Sequence, residues 1–318
     1  HEHAMGIWNY IKEHDNGITN FHFEIAADIT TEEELAIMEK MRPGLIQLEI
    51  GVQSTNPKTV EAIHRTMDLK KLEKVVSRVK SFGNIHQHLD LIAGLPYEDV
   101  NSFQKSFDDV YAMRPDQLQL GFLKVLKGSG MREDAPGYGI NWHERAPYEV
   151  LTTDWLSYGD VLLLKGVEDM VEVYYNSRQF DRTISKIMER YASPFLFFKE
   201  LADFYDREGL AGIGHARIAR YEILRRFLSE EKGWELKEYE QCMVLDLYAR
   251  ENLKSRPAFA PDLSPYKEQL KIMTREYGRQ VHVEVLERER RPVYVMFDYR
   301  TRDPLTGDAV MQILEEPE

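Results

Sequence analysis

The chain has 318 residues, 43% of them apolar, a formal net charge of −13 and a single cysteine. That length and apolar content leave room for two domains with real cores, and the charge argues against nucleic-acid or anionic-membrane binding as a general activity. One cysteine excludes an internal disulfide framework and suits a reducing cytoplasm, the expected location; no apolar run reaches the roughly 18 residues of a membrane span.

The opening His1-Glu2-His3-Ala4-Met5-Gly6 reads as an expression-tag remnant, so the fold is expected to begin near Ile7. That start, inside a helix-like run, reads as a truncation. A helix over 7–14 ends at Asn16-Gly17, residues that tolerate left-handed backbone. Asn20 to Ala26 reads as a strand. Thr30 or Thr31 then caps a helix whose first turn carries Glu32, Glu33 and Glu34, and Pro43-Gly44 stops it. A strand over 45–51, a helical region from Pro57 to Phe82, a strand over 85–92, a helix over 99–113 and a strand over 117–125 follow. This βαβαβαβ order predicts a parallel sheet with right-handed crossovers.

Parallel strands covered on both faces usually read as continuous apolar runs. These alternate. His22 and Glu24, then Gln47 and Glu49, then His86, His88 and Asp90, then Gln117 and Gln119 fall on one side of their strands. The pattern predicts a curved sheet with a polar lumen, although four strands cannot close a barrel. From about Pro147 the pattern becomes helical: 148–172, 176–190, 194–208, 214–230, 235–251 and 264–277. Two strand-like runs follow, 281–287 and 292–299, joined by Arg288-Glu289-Arg290-Arg291 and able to pair as a hairpin.

Several positions invite two readings each. Gly51-Val52-Gln53-Ser54 ends a strand, where α/β folds place ligands; a plain strand-to-helix turn with a Ser cap explains it equally. Arg65 could reach a carboxylate over the strand ends or sit solvated on a helix. Asp90, four residues before the Gly94-Leu95-Pro96 break, could accept from ribose hydroxyls, hold an amine, or pair a neighbouring arginine. His86 and His88 with Glu24 could form a metal site, although their spacing is not a tight metal motif. Glu24 is otherwise a lumen acid. Lys124 and Lys127 could meet an anion or lie in a solvated loop. Phe195, Phe197, Phe198, Phe204 and Tyr205 read as core. Cys242 reads as a buried small hydrophobe.

The joint order of Phe21-His22-Phe23-Glu24, Glu49-Ile50-Gly51-Val52-Gln53-Ser54, His64-Arg65 and Asp90-Leu91-Ile92-Ala93-Gly94-Leu95-Pro96 with Glu98 resembles the radical S-adenosylmethionine (SAM) superfamily, in its branch with an upstream cobalamin-binding domain. The region behind it is similar to the helical DUF4080 type. The resemblance implies an α/β fold: a partial TIM-like (β/α) radical SAM barrel of about four parallel strands over 7–146, then a mainly helical domain over 147–318 ending in a small β-hairpin. It implies a SAM site made by Glu24, Gly51, Gln53, Ser54, Arg65, Asp90, Gly94 and Pro96, beside a [4Fe-4S] cluster, with or without cobalamin. Catalysis by reductive SAM cleavage, on an unnamed substrate, is expected of a parent iron–sulfur oxidoreductase or methyltransferase-like enzyme. This chain lacks the Cys-x3-Cys-x2-Cys loop. It is therefore expected to be inactive alone, to hold no cofactor tightly, and to rely on an N-terminal partner domain for the cluster. An exposed strand edge at Asn20 to Ile25 would invite covering by another element or a homodimer. Two other classes remain open: a non-catalytic binding or scaffold module with a degenerate SAM pocket, and a metal-dependent lyase built on His86, His88 and Glu24.

Overall fold

The structure is a computed structural model and describes residues 1–278, 280–287 and 291–315. The chain divides into two units, one made of 1–176 with 193–203, the other of 177–192 with 204–318.

In the first unit α1 (Glu2–Glu13) begins before the expected Ile7, because its first turns contain no proline and Trp8 and Ile11 bury one face. Trp8 meets Phe23 edge-on, ring centroids 4.7 Å apart. Then come β1 (Phe21–Ile25), α2 (Glu32–Met38), β2 (Ile46–Gln53), α3 (Pro57–Ala62), α4 (Leu69–Phe82), β3 (His86–Ala93), α5 (Val100–Ala112) and β4 (Gln117–Phe122). The helix starts follow capping chemistry: Thr31 and Glu34 form a capping box, and Asn56, Asp68 and Asp99 each accept a backbone N–H of the first turn. The expected single helical region over 57–82 is two helices. His64 takes a left-handed φ of 53° just past α3, and Asp68 starts α4 afresh.

The four strands are parallel in the order β1-β2-β3-β4. Leu48, Ile50, Val52, Leu89, Leu91, Leu118 and Leu120 are buried together with Leu72, Val76 and Val79 of α4 and Phe103, Phe107 and Val110 of α5. The register sets the polar residues in levels: Glu24, Glu49, His88 and Gln117 are successive partners, and so are Gly51, Asp90 and Gln119. The expected polar face is therefore real, and it belongs to a four-strand parallel sheet.

After β4 the chain forms α6 (Gly130–Asp134), the short antiparallel pair β5 (Asn141–Trp142) and β6 (Val150–Thr152), and α7 (Tyr158–Val171), which continues as a π-helical turn over Glu172–Asn176. The helix expected from Tyr148 starts only at Tyr158, where Ser157 and Asp160 form a capping box. The Asn176 side chain lies along β4, accepting from the Leu118 N–H and donating to the Leu118 carbonyl, both at 2.9 Å. Phe195, packed edge-on against Phe103 and Phe107 at centroid distances of 6.4 and 5.6 Å, closes the core over α5.

The second unit contains α8 (Asp181–Met188), the end of α9 (Pro194–Arg207), α10 (Arg217–Arg226), α11 (Lys237–Arg250) and α12 (Lys267–Tyr277). Asp246, 2% exposed, caps α8 by accepting from the N–H groups of Arg182 and Thr183 and from the Thr183 hydroxyl. The expected hairpin is a three-stranded antiparallel sheet of β7 (Val281–Glu287), β8 (Pro292–Arg302) and β9 (Ala309–Leu314). Asp303 builds the turn into β9 by accepting from Leu305 and Thr306, and Gly307 adopts φ 72° there. The third strand carried no signal because Val310, Met311 and Ile313 are exposed, so its apolar residues mark no buried face. The charged link Arg288-Glu289-Arg290 lies outside the described residues. Met273, Val281, Val283, Val285, Tyr294 and Met296 form the core under this sheet. The aromatics Phe204 and Tyr205, like Phe195, Phe197 and Phe198 of the first unit, are core as expected.

Candidate functional site

Strand β2 ends on an irregularity. Gly51 pairs with Asp90 but Gln53 pairs with Leu91, so one extra residue is inserted between them. Gln53 takes φ 69°, a left-handed conformation that a residue with a Cβ adopts at a cost. Bulge and twist together turn the Gln53 amide over the strand end. A Cβ added at Gly51 would stand 2.5 Å from Gln53 Nε2, so glycine there is what leaves room for the amide.

Arg65 arrives from the next helix. The His64 N–H donates to Glu61 O and the Arg65 N–H to Val60 O, both at 3.0 Å, the pair of bonds that closes a helix on a left-handed residue. The chain is thereby reversed, and Arg65 Nη2 donates to the carbonyl oxygen of Gly51. Arg65 thus lies past the end of α3 rather than early in a helix. Gln53, His64 and Arg65 line a cavity of about 620 Å³ with Ile92, Leu95 and Leu123.

A second cavity, about 680 Å³, opens on the polar face between Gln53, Asp90, Gln117 and Gln119 of the sheet and Glu149, Lys165, Glu168, Asp169, Glu172 and Asn176. Gln53 lines both. Burial, with Glu49 as hydrogen-bonding neighbour and Glu24 nearby, pushes the Asp90 carboxyl up to about 7. Burial also pushes Glu168 above its ordinary range and His88 below its own. Lys165 pairs with Glu149 at 2.6 Å and stands 4.1 Å over the Phe122 ring.

Of the residues singled out from the sequence, the structure brings Gly51, Gln53 and Arg65 together and sets Asp90 in the adjoining cavity. It turns Ser54 away. Ser54 is fully buried, its hydroxyl donating to Glu98 Oε1 at 2.7 Å, and Ser106 donates to the same oxygen at 2.8 Å. This cluster pins the β2–α3 turn to α5, and burial pushes Glu98 up to about 7. Gly94 shapes the chain after β3 at φ 90°, where a Cβ would stand 2.7 Å from Val150 Cγ1. Pro96 accepts through its carbonyl from the Thr59 hydroxyl at 2.9 Å. Glu24 lies exposed at the end of β1. Neither cavity is lined by Glu24, Ser54, Gly94 or Pro96. His88 groups with His22 and Glu49 rather than with His86 and Glu24.

The face of α7 was missed. Its Lys165, Glu168 and Asp169, with Glu172 of the turn that continues it, recur at helical spacing, so one charged stripe was visible inside a segment read only as helix. Cys242 is half-buried rather than buried, and its surroundings push the thiol up to about 11.

Comparison with known proteins gives the following. The family described as "Protein of unknown function (DUF4080)" matches residues 136–291. The oxygen-independent coproporphyrinogen-III oxidase-like protein HemZ of Bacillus subtilis is 32% identical over 120 residues, 37% of this chain and 23% of that protein. The oxygen-independent coproporphyrinogen III oxidase of Salmonella typhimurium is 29% identical over 107 residues, 32% of this chain and 23% of that protein. The chain thus spans about a quarter of the length of the curated relatives it matches. The solved structure of the coproporphyrinogen III oxidase of Escherichia coli, titled a radical SAM enzyme, aligns at a TM-score of 0.32 and 20% identity over 36% of this chain and 27% of that one. Among the described residues no helix is long and apolar enough to cross a membrane.

Proposed function

We propose that this chain, a relative of the radical SAM enzymes, supplies the SAM-holding strand ends and a substrate cavity to an iron–sulfur oxidoreductase of that superfamily. The observation that supports the reading is the grouping of Gln53 and Arg65 at the carboxyl end of β2, beside Asp90 of β3, the partner of Gly51, with Gln53 shared by the cavity of Arg65 and the cavity of Asp90. Parallel α/β sheets bind ligands at these ends.

The donor set suits SAM. The Arg65 guanidinium, already fixed on the Gly51 carbonyl through one nitrogen, would take the methionyl carboxylate through another. Asp90 would accept from the ribose hydroxyls, and Gln53, which both donates and accepts, would bridge the two ends. Bound SAM in this superfamily supplies a radical that abstracts hydrogen from substrate. The work of this chain's residues is to hold, orient and enclose, with the charged face of α7 walling the second cavity against water.

A [4Fe-4S] cluster does not fit the thiols of these residues. Such a cluster takes cysteine thiolates, and the sequence has only Cys242. We therefore place the cluster ligands outside these 318 residues and derive no radical step within them. Anaerobic reconstitution tests the division. The chain should bind SAM, weakly because the cluster is absent, but form no 5′-deoxyadenosine with iron, sulfide and a strong reductant. Deoxyadenosine formation would overturn the placement of the cluster, and absence of SAM binding would overturn the site.

A further inference from the structure

We propose that His22, Glu49 and His88 form a site for a divalent transition-metal ion on the polar face of the sheet, running from buried His88 to exposed His22 on the edge strand β1, one layer below Asp90. One ligand atom from each residue lies within 4.8 Å of the other two. His22 Nε2 is already 2.8 Å from Glu49 Oε2. Two imidazoles and one carboxylate make a donor set that zinc, cobalt(II), manganese(II) and iron(II) accept, and it leaves coordination positions open for water or a substrate oxygen. An ion bonded at about 2.1 Å to each donor needs only a modest closure of the three side chains.

His88 is 6% exposed, and its Nε2 makes no hydrogen bond. Asp90 Oδ1 stands 3.1 Å from that nitrogen, close enough to pair with it when either group carries a proton. Gln119, which acts on the titration of His88, is near enough to serve as the outer partner of a metal-bound histidine. The three ligands come from rigid strands in a fixed register, with Glu49 the direct partner of His88 and β1 alongside β2. Through Asp90 the site borders the 680 Å³ cavity. The inference is independent of SAM binding, since none of its three ligands is among the residues assigned to SAM.

The test is a cobalt(II) titration of the chelator-stripped chain, followed by visible ligand-field absorption, with zinc as competitor. One cobalt per chain is expected, displaced by zinc. Affinity should fall at least tenfold in Glu49→Gln and in His88→Ala. It should be unchanged when His1 and His3, outside the cluster, are both replaced by alanine. Circular dichroism checks that each variant folds. Glu49→Gln keeps shape and volume, so it decides the matter if His88→Ala does not fold. Absence of ligand-field bands, or equal affinity in wild type and Glu49→Gln, would overturn the proposal, as would loss of binding on replacing His1 and His3 alone.

Discussion

Arg65 donates through Nη2 to the carbonyl oxygen of Gly51, and the same glycine leaves the space that the Gln53 amide occupies. One position therefore fixes two of the side chains assigned to SAM. Gly51→Ala would set a Cβ 2.5 Å from Gln53 Nε2. The amide is the end of a flexible side chain and can swing aside, so stability should change by only about 1 kcal/mol or less. SAM affinity should fall about tenfold or more, roughly one good hydrogen bond. Urea denaturation and equilibrium dialysis on the same samples separate the two effects. Equal losses in both would place Gly51 in the fold rather than in the site.

Glu98 gives the chain a pH signature. Its carboxyl is pushed from an ordinary 4.5 up to about 7 by burial, against the opposing hydrogen bonds of Ser54 and Ser106. The folded state therefore holds this proton where the unfolded state has lost it. Stability from this group is fully present below about 4.5, falls as pH rises toward about 7 and is level above. The decline is of the order of 3 kcal/mol across that window. Glu98→Gln keeps an acceptor for both serines and cannot ionise. The difference in unfolding free energy between the variant and wild type should grow in the variant's favour from pH 4.5 to 7, read by urea titration at several pH values. A pH-independent difference would contradict the burial argument.

Asn176 completes the outer edge of β4 with two 2.9 Å bonds to Leu118. Asn176→Ala leaves that N–H and carbonyl without their partner and should cost about 1–3 kcal/mol. Amide hydrogen exchange should speed up at Leu118 before it does so elsewhere in the sheet. Unchanged protection there would mean that water replaces the side chain without loss.

Much of this was legible in the sequence, for identifiable reasons. Period-2 alternation announced the polar face, because a strand cannot hide which side each residue takes. Gly51, Gln53, Arg65 and Asp90 were legible as a set because their order along the chain carried the resemblance. The role of Ser54 was not. Its hydroxyl could face the ligand or the core, and only the buried carboxylate of Glu98, on a distant loop, decides between them. The α7 wall was hidden because a charged stripe on a helix usually faces solvent. The third strand of the second unit was hidden because an exposed strand has no apolar face to show. His22 could not be joined to His88 without the register of three strands.

The central claim is that Arg65 and Asp90 hold SAM in this chain. The most direct measurement is SAM affinity by equilibrium dialysis for wild type, Arg65→Lys and Asp90→Asn. Lysine keeps the charge but loses the fork, and asparagine keeps the shape but loses the charge. Wild type should bind, and each variant should bind at least about tenfold more weakly, one charge-assisted hydrogen bond apart, with the fold intact. No binding by wild type, or affinity equal in all three, would contradict the account.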